Sequence, residues 1–309
     1  MIKILQIGIK GKSQCLATLA LILVSFFLGV VAFGGCETTG DVSEGIGIVV
    51  SIMPQADFVE GVGGEKVKVT VMVPQNADPH TYEPKPGQIK ALSAAKMYAQ
   101  VGSGIEFELV WMDKLVKTNQ DMLVVDCAKG VQLIEMAAED GHEDEAHGNI
   151  DPHIWTSPLN AKVMVQNICE GLVYIDPGNT TYYEKNRDIY LQSLAQLDKD
   201  IRDGLSGVRN RKFLVYHPAF GYFADQYDLI MLAIEEQGKE PTAAGIAHLI
   251  QQAKKDDIKV VFASPQFNPQ SAEVIADAIG GRVVFVDVLA KDYIPNMRFI
   301  LGELVQAME

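Results

Sequence analysis

The stretch from Asp176 to Gly207 constrains the fold most. Its apolar residues are Tyr183, Tyr190, Leu194, Leu197, Ile201 and Leu205, spaced by seven, four, three, four and four. That spacing is a single stripe on an α-helix. Lys185, Arg187, Asp188, Lys199, Asp200 and Asp203 lie between the stripe positions and belong in water. Asp198 precedes Arg202 by four residues, a weakly favourable helical pair. Asp176-Pro177, and Thr181 with Glu184 as a capping box, mark the start. Gly204 and Gly207 are read as the stop. Such a helix, about 37 Å long at ~1.5 Å per residue, exceeds the usual crossover helix. It therefore predicts a rigid rod between two halves, not one more layer on a single sheet.

Both halves alternate short β-branched runs with helical patterns, the signature of parallel α/β sheets. In the first half, strands are expected at Ile46 to Met53, Val67 to Val73, Met97 to Val101 and Met122 to Asp126. Helices are expected from Pro54 to Gly61 and from Glu106 to Lys117. In the second half, strands are expected at Phe213 to Tyr216, Ile230 to Ile234, Ile258 to Ala263 and Arg282 to Val286. Thr242 to Asp256, Ser271 to Ile279 and Pro295 to Met308 carry helical patterns. The fold class is thus α/β: two Rossmann-like lobes, residues 45–178 and 208–309, joined by a linker helix over 179–207.

The N-terminus is of another kind. Lys3, Lys10 and Lys12 precede an apolar run from Leu16 to Val31, then Phe33-Gly34-Gly35-Cys36 and a polar tether over 37–44. This is a secretory signal pattern over residues 1–36, too short in its apolar part for a stable membrane span. The small residues before Cys36 look like a lipoprotein processing site, at which Cys36 is lipidated. Phe33 stands where such sites usually carry an aliphatic residue, so cleavage near Gly35 without lipid, or an uncleaved anchor, stays open. Removing residues 1–36 takes away three lysines and no acid, leaving 23 minus 40, or −17. A surface so acidic disfavours nucleic acid. Cys127 and Cys169 then remain, in strand-like and helix-like contexts, and read as buried apolar residues with no disulfide between them.

The chemistry is concentrated in loops after strands. Asp78-Pro79-His80 follows Val73, and Asp151-Pro152-His153 repeats the tripeptide. Proline fixes φ and removes a donor, so each histidine sits on a stiff turn, suited to a metal. His217 directly follows the strand Phe213 to Tyr216, and Asp287 follows the last strand. In parallel sheets ligand sites gather at the carboxyl ends of strands, and a cleft between lobes is their natural meeting point. The segment Glu139 to Gly148 carries His142 and His147 among acids. It reads as a surface loop, either plain solvated acid or an auxiliary metal-collecting loop. His248 falls within a helical pattern and reads as a surface or packing residue.

With these residues in view, the chain resembles the zinc and manganese solute-binding lipoproteins of ABC transporters. The phrases that match are Asp78 to Pro84, Asn149 to Trp155, Asp176 to Asn186 and His217 to Tyr227, with a weaker match at Val286-Asp287, Asp292-Tyr293 and Met297-Arg298. The resemblance implies two lobes on a rigid helix, with a metal held between them by His80, His153, His217 and Asp287. A histidine at the third of these positions goes with zinc in that family, and Glu with manganese or iron. Three imidazoles and a carboxylate also suit tetrahedral Zn²⁺ on chemical grounds, ahead of Mn²⁺ or Fe²⁺. The implied partners are an ABC permease, a divalent ion and a lipid anchor. The protein is expected as a monomer, outside the cytoplasm, tethered to the outer face of the cytoplasmic membrane or free in a periplasm. Ser264 and Val288 depart from the family pattern, which usually has Glu or Gln and Pro there. The competing readings are a secreted zinc hydrolase with an open water position and a surface adhesin. No His-Glu-x-x-His motif supports the hydrolase.

Overall fold

The computed structural model describes residues 45–136, 150–235 and 240–309. The signal segment, the tether with Cys36, and the loop with His142 and His147 lie outside the described residues. Among the described residues, no helix is long and apolar enough to cross a membrane.

The first lobe holds β1 (Ile46–Val50), α1 (Met53–Gly63), β2 (Val67–Val71), α2 (Pro86–Ala94), β3 (Met97–Gln100), α3 (Glu106–Thr118), β4 (Leu123–Asp126) and α4 (Pro158–Ile175). The rod is α5 (Thr180–Leu205). The second lobe holds β5 (Lys212–Val215), α6 (Gly221–Gln226), β6 (Ile230–Ala233), α7 (Ala243–Lys255), β7 (Val260–Ala263), α8 (Gln270–Ile279), β8 (Arg282–Phe285) and α9 (Tyr293–Met308). Each lobe is built on its own four-stranded, all-parallel sheet. The orders, β2-β1-β3-β4 and β6-β5-β7-β8, are the same pattern used twice. In each sheet the chain turns back on one side of the first strand and then crosses to the other. The switch points therefore fall between β1 and β3 and between β5 and β7, where parallel sheets open crevices at their carboxyl ends.

The rod buries Tyr183, Leu194, Leu197, Ile201 and Leu205. Each Leu or Ile removed from water there contributes about 1.5–3 kcal/mol. At ~1.5 Å per residue its 26 residues span about 39 Å. Arg202 Nε reaches Asp198 Oδ2 at 3.2 Å, as the i, i+4 spacing predicts. The two end signals act differently from expectation. No capping box forms at Thr181; Asp176 Oδ2 instead accepts from Asn179 (2.7 Å) and from the Tyr183 hydroxyl (2.6 Å), folding the turn between α4 and α5. Gly204 is not a stop but lies inside the helix. A Cβ there would sit 3.2 Å from Leu301, so the missing side chain lets α9 pack close.

α5 packs against α1 and α4 of the first lobe and α9 of the second. One hydrophobic core runs from the first sheet across the rod to one face of the second. Along β5 and β7 the side chains alternate. Phe213, Val215, Val260 and Phe262 face that shared core, while Leu214, Val261 and Ala263 face a second core under α7 and α8. With both faces covered, these strands read as continuous apolar runs. Cys127 and Cys169 are buried and unbridged.

Candidate metal site

Both Asp-Pro-His tripeptides fold into the same turn. Asp78 Oδ1 accepts the backbone N–H of His80 at 2.9 Å, and Asp151 Oδ1 accepts that of His153 at 2.9 Å. An Asp two residues before its donor is a self-bonded turn, and the intervening Pro removes the competing donor. The second copy goes further, because Asp151 Oδ1 also meets His153 Nδ1 at 2.8 Å. His217 leaves the end of β5. Two residues past the end of β6, Glu235 N–H donates to Tyr216 O at 2.9 Å, which prolongs the parallel ladder. That register sets Glu235 beside His217, with Oε2 2.8 Å from Nδ1.

The other ring nitrogens meet. His153 Nε2 and His217 Nε2 lie 3.1 Å apart. The tautomer that satisfies both carboxylates puts a proton on each Nδ1 and leaves two Nε2 lone pairs facing one another. That contact repels unless a cation or a shared proton sits between them. Two imidazoles on a tetrahedral Zn²⁺, with Zn–N ~2.0–2.1 Å, bring their nitrogens to about 3.3 Å. The pair is therefore set at close to the spacing that zinc requires.

The pair sits in an apolar setting. His153 and His217 are 6% and 9% exposed, and Asp151 and Glu235 are 2% and 7%. Phe267 stacks on the His217 ring at 4.7 Å, and Trp155 meets His153 edge-on at 5.3 Å. Burial pushes the His217 pKa below its ordinary value, and the neighbouring His153 adds to this against the pull of Glu235. Burial thus favours the neutral imidazole, the form that a metal would need.

His80 stands differently. Its ring centroid is 5.5 Å from that of His217, yet the residue is exposed. Among the described residues nothing hydrogen-bonds its imidazole. Asp287 is off the wall of the cleft, which is lined by His80, His153, His217, Ser264, Gln266 and Phe267 among others. Asp287 Oδ1 accepts from Gln266 Nε2 at 2.7 Å and from Leu289 N–H at 2.9 Å, a third turn of the Asp-x-x type. Among the described residues its Oδ2 makes no hydrogen bond. So the structure joins His153 to His217, sets His80 beside them, and leaves Asp287 one hydrogen bond behind the wall. Among the described residues no three His, Cys, Asp or Glu side chains stand arranged around a single point. His248 is exposed on α7, as its helical context predicts. Val288, a departure from the family pattern, serves through its backbone, since its carbonyl accepts Trp155 Nε1–H at 2.9 Å.

Sequence reasoning missed Glu235, Gln266 and Phe267 and gave Asp151 no role. Asp151 had a signal, its place two residues before a His. Glu235 had none, because only strand pairing brings it to a residue 18 positions away.

Comparison with known proteins gives the chain's family and fold. The sequence profile of the family described as "Zinc-uptake complex component A periplasmic" matches residues 48–307. The "High-affinity zinc uptake system protein ZnuA" of Bacillus subtilis is 30% identical over 282 residues, 87% of each chain. The "Manganese-binding lipoprotein MntA" of Halalkalibacterium halodurans is 28% identical over 290 residues, 86% of this chain and 93% of its own. Among solved structures, one described as "Crystal structure of ZnuA" superposes with a TM-score of 0.81 at 40% identity, covering 86% of this chain and all of that one. A match that takes in both lobes and the rod between them assigns the chain to the family of the periplasmic component A of zinc-uptake complexes.

Proposed function

We propose that this protein captures Zn²⁺ outside the cytoplasm and hands it to an ABC permease in the membrane. One observation carries the reading: two buried imidazoles face each other at 3.1 Å through their Nε2 atoms, each with its Nδ1 held by a buried carboxylate. A cation resolves the lone-pair contact. Paired nitrogen donors, with a third imidazole beside them, favour zinc over the harder manganese. In this reading His153 and His217 are the first ligands and His80 the third. Asp287 supplies the fourth through Oδ2 once its loop moves to the ion. The ion is cargo, held and released unchanged.

A closed set of protein ligands suits holding better than hydrolysis, which needs an open water position. Membership in a metal-uptake family also supports transport over catalysis. The family's periplasmic description supports an extracytoplasmic location. Lipidation at Cys36, tethering to the outer face of the cytoplasmic membrane and a monomeric state complete the proposal. The test is competitive titration of the metal-free protein with Zn²⁺, Mn²⁺ and Fe²⁺, read by elemental analysis. One zinc per chain, retained against excess manganese, is expected. Preferential retention of manganese or iron refutes the zinc assignment.

A further inference from the structure

We propose that Glu235 is a positioning residue for metal capture: it locks His217 in the Nδ1–H tautomer and aims its Nε2 at the ion, as Asp151 does for His153. The inference rests on the zinc reading above. The argument begins with burial. A carboxylate that is 7% exposed must be compensated by hydrogen bonds or a charge partner. Among the described residues the one side-chain bond of Glu235 is to His217 Nδ1, at 2.8 Å. The backbone of Glu235 is already fixed by the ladder bond to Tyr216 O, so its side chain is not needed to hold the strand end. What the carboxylate does add is a strong acceptor on the far side of a candidate ligand.

The geometry repeats on the other imidazole. Asp151 holds His153 Nδ1 at the same 2.8 Å, although it lies two residues away and Glu235 lies 18 away. Two unrelated pieces of chain thus deliver one arrangement, carboxylate to Nδ1 with Nε2 inward. Carboxylates behind ligating histidines fix the tautomer and ring orientation and raise ligand basicity. A free neutral imidazole favours the Nε2–H form, whose proton must shift to Nδ1 before Nε2 can ligate. Glu235 removes that step in advance. Phe267, stacked on the ring, holds its plane, while Glu235 fixes its rotation and proton.

The test compares full-length metal-free wild type, Glu235→Gln and Glu235→Ala. Long-range ¹H–¹⁵N NMR of histidine-labelled protein reports the tautomer of His217, and chelator competition reports zinc affinity. Wild type is expected as Nδ1–H. Glu235→Gln keeps that tautomer through its amide oxygen and binds zinc several-fold more weakly. Glu235→Ala shifts towards Nε2–H and loses about 10–100-fold in affinity. A clip that only braces the loop would leave the tautomer unchanged. An unshifted tautomer in Glu235→Ala, or zinc binding within twofold of wild type, overturns the proposal. If Glu235→Ala does not fold, Glu235→Gln decides: affinity equal to wild type overturns it. A wild type that binds no zinc would sink the zinc reading instead, and the tautomer measurement would still judge Glu235.

Discussion

Removing His80 and removing His217 are expected to differ in a way that isolates how the site is built. A four-ligand zinc site in small domains is worth about 10–16 kcal/mol, or roughly 2.5–4 kcal/mol per ligand. Either His→Ala change should therefore weaken zinc binding by about 10²–10³-fold. The metal-free proteins should diverge. His80 is exposed and among the described residues nothing hydrogen-bonds its ring, so His80→Ala should stay within about 0.5 kcal/mol of wild type. His217→Ala leaves Glu235 buried without its partner and takes the ring from under Phe267. An orphaned buried acceptor costs about 1–3 kcal/mol. At about 2–4 °C per kcal/mol for a chain of this size, the metal-free melting temperature should fall by roughly 2–12 °C. The assay is thermal unfolding by circular dichroism in excess chelator, beside zinc competition at fixed pH. Equal melting losses in the two variants, or unimpaired zinc binding in His217→Ala, would refute the reasoning.

Other outcomes follow from the same geometry. Burial holds the His217 pKa below 6.5, so the unfolded chain takes up a proton that the folded one resists. Its stabilising contribution is complete above about pH 6.5 and is lost as pH falls through the depressed folded value. Burial raises Asp57 and Glu108, which act in the opposite sense upward from 3.8 and 4.5. Metal-free melting curves of wild type and His217→Gln should cancel those acids and show a steeper acid decline in wild type. Tyr293→Phe removes the hydroxyl that donates to Trp155 O at 2.7 Å, and should cost about 1–3 kcal/mol of unfolding free energy in urea titration. Gly221→Ala places a Cβ 2.1 Å from Asp151 Oδ2, so displacement of that carboxylate should weaken zinc binding while far-ultraviolet circular dichroism is retained. His217→Glu should raise manganese retention relative to zinc in elemental analysis, because a carboxylate suits the harder ion.

Period and composition made the two sheets and the rod legible. Val260 to Ala263 is an apolar run because both faces of its sheet are covered, and Tyr183 to Leu205 is a stripe because one face of the rod is. Helix α4 is equally readable, beyond the helix-like context of Cys169. Ser157 caps it by accepting Asn160 N–H at 3.2 Å, Pro158 opens it, and Ala161, Met164, Val165, Ile168 and Leu172 form its buried stripe. The short local signals misled. Thr181 and Glu184 have capping-box spacing, yet Asp176 had already claimed the turn; Gly204 looked like a terminator and is a contact with Leu301. Of the site, the histidines were legible because each is next to a proline or a strand end. Glu235 and Phe267 were not, since parallel pairing and ring packing bring them to His217.

The rod alone does not hold the lobes together. The His153 loop is gripped from the first lobe by Ser103, whose hydroxyl donates to Pro152 O, and from the second by the Tyr222 hydroxyl on Asp151 O at 2.9 Å. Trp155 Nε1 donates to Val288 O, and its carbonyl accepts from Tyr293. Lys291 pairs with Glu60 at 2.7 Å, and the Tyr190 hydroxyl on the rod donates to Asp57 Oδ2 at 2.6 Å. Pulling His153 from His217 by lobe motion would break most of these bonds and expose the core that crosses α5. By contrast, among the described residues the Asp78 turn bonds within its own loop, through His80 and Thr81, and is anchored further on by Tyr82 to Gln88 at 2.9 Å. The cheapest opening is therefore displacement of the His80 loop, with the two carboxylate-backed imidazoles kept in place. On the proposed assignment, exchange of the ion is expected to proceed by movement of the His80 and Asp287 loops, with His153 and His217 held and the lobes at most tilting.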